Sequence, residues 1–298
     1  MFKIHTLQGR FIVALLFLSI LFSFQASFGQ LAKTKTLRVL AIGNSFSEDA
    51  LEHHLYGLSK AAGKQIIIGN LYIGGAPLSL HWKNIDSNLS AYEYRKITVD
   101  GKKTRTPNIS IQNALADEDW DVISFQQASY LSGKFETIQA HLPQIYESVK
   151  SIQEAPAAYK HPRKVTYVYH QTWAYSPTST HGGYVNYGNN QMQMYSAIAE
   201  ATQKLPSIVP IKVIIPAGTA IQNARQTSFG TDLTRDGYHL EHESGKYIAA
   251  CTWFEMLFKS TVVGNSYKPE KLSNEQAKIA QIAAHKAVQK PFKISKMK

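Results

Sequence analysis

Short runs of branched apolar residues recur along this chain at wide intervals, and helical patterns fill the gaps between them. The apolar runs cover residues 37–42, 65–72, 121–125, 164–169 and 211–215. The helical patterns cover residues 48–62, 78–89, 108–117, 135–154 and 190–204. Apolar runs without alternation are typical of parallel strands that are buried on both faces. Strands that alternate with helices predict an α/β fold, a three-layer α/β/α sandwich around a parallel sheet of about five strands.

The segment 94–106 departs from this alternation, and two helical segments follow the last strand. Residues 94–106 contain Asp100-Gly101, a pair that favours a tight hairpin, so we expect an inserted β excursion there. Residues 243–259 and 274–288 follow the last strand and have helical character, which predicts two closing helices.

The first 29 residues are typical of a targeting segment. Lys3 and Arg10 precede the apolar run 11–24, and small residues then lead to a plausible cleavage site before Gln30. The apolar run is short for a membrane span, although an uncleaved anchor is the alternative. We therefore expect a signal peptide over residues 1–29, a single domain over residues 30–298, and an exported protein, periplasmic or secreted, without stable membrane insertion.

The charge of the chain narrows the classes of partner that the protein could bind. The formal charge is +11, and it is +9 without Lys3 and Arg10. The lysines are dispersed and no basic-aromatic motif is present, so no nucleic-acid partner is expected. A basic surface that favours acidic polysaccharide or membranes is the alternative to a generally basic protein.

Cys251 is the one cysteine in 298 residues. Its apolar helical surroundings predict a thiol packed in the core.

The first strand ends at a turn that can carry chemistry. Gly43 breaks the apolar run, and Asn44 and Ser45 precede the first helical pattern. Ligands in open α/β sheets bind at the carboxyl edge of the strands, and a helix N-terminus there favours developing negative charge. Ser45 is therefore a candidate nucleophile. The alternative is a capping box, since Ser45-x-x-Glu48 fits that pattern.

An acid and a histidine near the other end of the chain complete a possible triad. Asp236 and His239 are three residues apart, so the carboxylate can hold one ring nitrogen while the other faces a hydroxyl. With the GNSFS sequence at 43–47, this late Asp-x-x-His resembles the SGNH/GDSL hydrolase superfamily, in which Asn44 replaces the usual Asp. The resemblance implies a flavodoxin-like SGNH-hydrolase fold. It also implies a Ser45 nucleophile, a His239 base and Asp236 as its partner.

The same resemblance implies an oxyanion hole. Its donors would be the backbone amides of Ser45 and Gly75, with Gly74 as the near alternative for the glycine. The superfamily asparagine is absent here. The segment 125–129 (FQQAS) is similar to the glutamine segment of carbohydrate acetylesterases, which implies a side-chain donor at Gln126, or else at Gln127. Without the resemblance, the glycines and glutamines could equally be turn and loop residues.

Aromatic residues cluster after the fourth strand. Trp173 and Tyr175 are candidates for sugar stacking, and Trp82 and Tyr184 lie near other predicted strand ends. Packing in the core is the alternative for each of them.

Histidine pairs do not predict a metal site in this sequence. His53-His54 and His239-x-x-His242 lack a carboxylate-histidine signature at ligand spacing, so no metal and no cofactor are expected.

These features together predict a serine esterase that removes small acyl groups such as acetyl, with acylated carbohydrate or another small ester as its partner and an acyl-enzyme intermediate. The alternatives are a non-catalytic glycan-binding protein on the same fold and a lipid or acyl-ester esterase. The oligomeric state stays open.

Overall fold

The computed structural model describes residues 35–155 and 164–297. The predicted signal peptide and its cleavage site lie outside these ranges, so the domain limits of 1–29 and 30–298 stay predictions. No helix in the described part of the chain is long and apolar enough to cross a membrane.

Within the described residues, seven strands form one sheet in the order β4-β3-β2-β1-β5-β6-β7. Five of them run parallel: β1 Leu37–Gly43, β2 Ile66–Tyr72, β5 Val122–Phe125, β6 Thr166–His170 and β7 Val213–Ile215. The fold class and the parallel strands predicted from the sequence are confirmed. The predicted β excursion is also confirmed. It consists of β3 Tyr92–Ile97 and β4 Lys103–Ile109, an antiparallel hairpin that extends the sheet beyond β2.

Helices cover both faces of the sheet. In chain order they are α1 Ser45–Leu51, α2 Leu55–Ala61, α3 Leu78–Asp86, α4 Ile111–Asp117, α5 Phe135–Gln139, α6 Leu142–Glu154, α7 Gln191–Gln203, α8 Ala217–Ala224, α9 Ser244–Phe258 and α10 Asn274–Gln289. The side chains of β1 alternate between the two cores. Val39 and Ala41 pack with α1, α2 and α8–α10, whereas Leu40 and Ile42 pack with α3, α4 and α6. This alternation makes β1 the centre of the sandwich.

The helix predicted over residues 48–62 is two helices. The first, α1, begins three residues earlier than expected, directly after the turn at Asn44. The helix is interrupted between Leu51 and Leu55. There the Glu52 side chain accepts a hydrogen bond from Asn70, and the His54 ring bonds to Tyr267 and to the backbone of His242.

The strand order determines where a site can form. The chain passes from β1 to β2, β3 and β4 on one side, and then crosses to β5, β6 and β7 on the other side, so the strand order reverses at β1. A crevice opens at such a switch point, outside the carboxyl ends of the strands. The turns after β1, β2, β5 and β6 therefore meet at this edge.

Candidate active site

The turn from β1 into α1 holds Ser45 at the carboxyl edge of the sheet. Asn44 caps the helix, because its Oδ1 accepts a hydrogen bond of 3.0 Å from the backbone amide of Phe46. The Asn44 Nδ2 also donates to the carbonyl oxygen of Ala76, at 3.1 Å. The capping box considered for Ser45 is therefore wrong, because Asn44 is the N-cap residue. The Ser45 hydroxyl is left for another partner.

That partner is His239, which lies between Ser45 and Asp236. The His239 Nε2 is 2.8 Å from Ser45 Oγ, and Nδ1 is 2.6 Å from Asp236 Oδ2. An ionised carboxylate can only accept, so Nδ1 carries the hydrogen and Nε2 is free to accept from the serine hydroxyl. The structure thus brings together the three side chains that the sequence singled out, in the order that activates a serine.

Asp236 is held as a carboxylate. Burial raises its pKa, but the His239 ring and two backbone amides outweigh that effect, so the pKa lies below its usual value. Those amides are the N–H groups of His239 and Tyr238, at 2.8 and 3.2 Å from Oδ1. Gly237 allows the tight turn between them, since its φ of 90° is unfavourable for any residue with a Cβ.

A fully buried carboxylate, Asp49, links the nucleophile helix α1 to the segment 236–239. Its oxygens accept from the Leu240 backbone amide at 2.8 Å and from the Arg235 guanidinium at 3.1 and 3.2 Å. The ammonium of Lys246, also buried, lies 3.1 Å away. Since Arg235 and Leu240 bracket the segment, Asp49 ties both of its ends to α1.

A cavity of about 220 Å³ opens beside the triad. Its lining includes Ser45, Tyr72, Gly75, Tyr130, Tyr238 and His239. A volume below the roughly 300–1,000 Å³ of drug-sized ligand sites suits a small group.

Gly75, the glycine predicted to donate to an oxyanion, lines this cavity together with Gly74. Gly75 has a φ of 65°, and a Cβ there would meet nothing within 4 Å, so the backbone conformation rather than crowding favours glycine. Among the described residues, no acceptor is found for the backbone amides of Ser45 and Gly75. Both amides are thus available to an oxyanion.

The structure does not support Gln126 as an oxyanion donor. Its Nε2 donates to Asn44 Oδ1 at 2.7 Å, and its Oε1 is 2.9 Å from the Nδ1 of His170. Gln126 is 1% exposed and does not line the cavity. It connects β5 to the nucleophile turn, so its contact is with Asn44 and not with a ligand.

Gln127 does not face the cavity either. Its Oε1 accepts from the backbone amides of Leu78 and Ala128, both at 2.9 Å, and its Nε2 donates to Thr137. These bonds fix the loop after β5 to the start of α3. Both glutamines are therefore loop residues that make hydrogen bonds within the protein, which is the alternative interpretation of this segment.

The predicted stacking residues are part of the core. Trp173 is fully buried, stacked on Phe46 with ring centroids 4.3 Å apart. Tyr175 is also fully buried, with its hydroxyl 2.8 Å from Ser129 Oγ. Neither ring offers a face to a sugar, so these two assignments are corrected. Tyr184 is buried as well.

Besides Phe46 and the His239 ring, the aromatic groups that line the cavity are Tyr72, Tyr130, His181 and Tyr238. Tyr72 ends β2, and Tyr130 closely follows β5. The signal that could have found Tyr72, Tyr130 and Tyr238 is their place at a strand end, in the loop after a strand, or inside the Asp-x-x-His motif. The guanidinium of Arg95 packs over the Tyr72 ring, 3.6 Å from its centroid, in a cation–π contact.

His53, which is half-buried, and Cys251, which is fully buried, do not line the cavity. His53 Nε2 lies 2.9 Å from the Lys246 ammonium, and burial is the main cause that lowers the pKa of His53 to about 3. In the described part of the chain, no group of three or more His, Cys, Asp or Glu side chains is arranged to hold a metal ion. Cys251 is fully buried, as predicted, and burial raises the pKa of its thiol.

Comparisons with known proteins find a matching family model and similar solved structures. The model of the family described as "Domain of unknown function (DUF4886)" matches residues 38–287. The crystal structure of a DUF4886 family protein from Bacteroides uniformis is 46% identical, with a TM-score of 0.84, over 88% of this chain and 98% of that one. No curated protein matches.

Two weaker structural likenesses are to an acetyl xylan esterase and to a gut microbial diltiazem-metabolizing enzyme. The first has 12% identity and a TM-score of 0.44, over 73% of this chain and 98% of that chain. The second has 15% identity and a TM-score of 0.41, over 76% and 47%.

Proposed function

The chain belongs to the DUF4886 family, and we propose that it is a serine esterase of the SGNH type that removes small acyl groups, acetyl above all, from carbohydrate. The observation that carries this proposal is the hydrogen-bonded series Ser45 Oγ, His239 Nε2, His239 Nδ1 and Asp236 Oδ2, with distances of 2.8 and 2.6 Å, at the wall of a cavity.

The reaction proceeds in two acyl transfers. Ser45 Oγ bonds to the acyl carbon while His239 takes its proton, and the bond to the alcohol breaks as His239 returns that proton to the leaving oxygen. Water, deprotonated by His239, then attacks the acyl-enzyme and releases the acid and the free serine. Asp236 keeps the imidazole in one tautomer throughout.

Two backbone amides stabilise the charge that develops on the carbonyl oxygen. These are the N–H groups of Ser45 and Gly75, which have no acceptor among the described residues. Ser45 is also the first residue of α1, where the helix dipole favours an anion.

The size and lining of the cavity support the choice of substrate. About 220 Å³ accommodates a short acyl group and part of an alcohol. The half-buried rings of Tyr72, Tyr130 and Tyr238 lie where a sugar ring can stack against them. Export after removal of residues 1–29 is part of the proposal, because extracellular glycans would then be within reach.

The test begins with Ser45→Ala, with Ser151→Ala on the exposed surface of α6 as its matched control. We expect the first variant to lose turnover of 4-nitrophenyl acetate and labelling by a fluorophosphonate probe, and the second to keep both. Acetate release is then measured across a panel of acetylated glycans, beside esters of increasing acyl length. Unchanged turnover in Ser45→Ala would refute the mechanism.

The panel also separates the alternatives. A preference for acyl chains of about eight carbons or more, with no acetate from any glycan, would favour a lipid esterase over this proposal. Glycan binding without labelling at Ser45 would favour a binding protein that has lost the chemistry.

A further inference from the structure

His181 lines the cavity beside the triad, and the proposed mechanism does not use it. It precedes the 3-10 turn Gly182–Tyr187, and its Nδ1 accepts a hydrogen bond of 3.0 Å from the backbone amide of Gly183. A backbone amide can only donate. The Nδ1 of His181 is therefore unprotonated, and the ring hydrogen is on Nε2.

The ring also stays neutral. Burial lowers the pKa of His181, positive charge on His239 lowers it further, and Asp236 opposes these effects only in part. When His239 takes the serine proton, a second positive charge at His181 is disfavoured. His181 is thus a neutral donor of fixed tautomer during the reaction.

Neighbouring aromatic rings hold His181 in place. Tyr130 stacks on it with centroids 6.2 Å apart, and Tyr238 and Tyr175 pack against it at 4.7 and 5.0 Å. Among the described residues no acceptor is found for Nε2–H, and this nitrogen is not sealed from solvent. A rigid, unpaired donor at a cavity wall is ready for a ligand oxygen.

The position of His181 indicates which part of the substrate it meets. Gly75 follows β2 on one side of β1, whereas His181 follows β6 on the other side. His181 packs on Tyr238, whose ring lies 4.2 Å from that of His239. His239 returns its proton to the leaving alcohol, so this is the alcohol side of the site.

We propose that the Nε2–H of His181 donates a hydrogen bond to an oxygen of the alcohol part of the substrate, adjacent to the ester. This inference rests on the proposed esterase function and adds a specificity-determining residue to it. The donor favours alcohols that carry a second oxygen next to the ester, as sugars do, over simple hydrocarbon alcohols.

Two small esters isolate this contact. Cyclohexyl acetate and trans-2-hydroxycyclohexyl acetate share the acyl group and the ring and differ in one hydroxyl. We expect wild-type kcat/KM to favour the hydroxylated ester by roughly three- to tenfold, the range of one neutral hydrogen bond.

Two variants at His181 separate the donor from the turn. Asn in His181→Asn can keep an acceptor for Gly183 N–H but does not reach the position of Nε2. Gln in His181→Gln reaches that position with a donor but loses the short acceptor. We expect His181→Asn to lose the preference for the hydroxylated ester and His181→Gln to retain part of it, with melting temperatures measured for both.

The ratio of kcat/KM between the two esters is the readout, because loss of packing alone would affect both esters alike. Equal wild-type rates, or a full preference in His181→Asn, would overturn the inference while leaving the esterase intact. No turnover of either ester by the wild-type protein would overturn the esterase proposal itself, and this inference with it.

Discussion

Replacing Asp49 by Asn removes the buried negative charge that balances two cations, Lys246 and Arg235. Lys246 is 1% exposed, and the Arg235 side chain is 31% exposed. Both contact the Asp49 carboxylate, as does the backbone amide of Leu240. An amide group in its place cannot accept all of these bonds, and it leaves the Lys246 ammonium buried without a counter-charge.

The expected cost is large. Breaking a buried ion pair by removing one partner costs about 3–5 kcal/mol. For a domain of this size, that loss lowers the melting temperature by about 6–20 °C. Since Arg235 and Leu240 bracket the triad segment, kcat for 4-nitrophenyl acetate should fall more than KM rises.

The assay is urea denaturation at pH 7, with esterase kinetics on the folded protein. Arg105→Gln is the control, because Arg105 is mostly exposed and lies 3.8 Å from Glu93. We expect that control to change stability by less than about 1 kcal/mol. Adding Lys246→Met to Asp49→Asn should recover part of the loss, since it removes the unpaired charge.

A free energy of unfolding for Asp49→Asn within about 1 kcal/mol of wild type would refute this reasoning. So would a double variant that is less stable than Asp49→Asn, because the deficit would then not arise from Lys246.

Three further changes test other parts of the site. Gln126→Leu should lower the free energy of unfolding by about 1–3 kcal/mol in urea, because Asn44 Oδ1 and His170 Nδ1 each lose a buried partner; a neutral result would contradict its connecting role. Burial lowers the pKa of His170 to about 3, below its unfolded value of 6.5, so its contribution to stability is present above pH 6.5 and is lost as the pH falls toward 3. His170→Gln should flatten the dependence of unfolding free energy on pH between 7 and 5 by up to about 1.4 kcal/mol per unit, and an unchanged slope would count against this. Asp236→Asn should lower kcat by about ten thousandfold, because the amide favours the wrong tautomer of His239; near-normal turnover in a steady-state assay would exclude a triad.

The elements and the edge that bears the site could be predicted from local patterns. The apolar runs are buried on both faces because parallel strands between two helical layers have no polar side. The turn at Ser45 and the late Asp236-x-x-His239 were readable for a similar reason. Each depends on a few adjacent residues, and parallel strands bring their carboxyl ends to one edge whatever the loops contain.

The direction of each side chain at that edge was decided by partners far away in the chain. Gln126 reads as a donor to an oxyanion, yet its amide bonds to Asn44, 82 residues earlier, and to His170. The sequence predicts that Trp173 stacks on a sugar, but in the structure Phe46 covers the face of its ring.

Asp49, on the same helix as Ser45, carries no local sign that its carboxylate meets Arg235, Lys246 and Leu240, almost two hundred residues later. Burial and hydrogen-bond pairing are properties of the whole packed interior, where a polar group must bond to whatever donor or acceptor the other elements bring. The amino-acid sequence alone therefore determined the strands, the helices and the residue types at the sheet edge. The tertiary structure decided which of those residues face the cavity and which hold it in place.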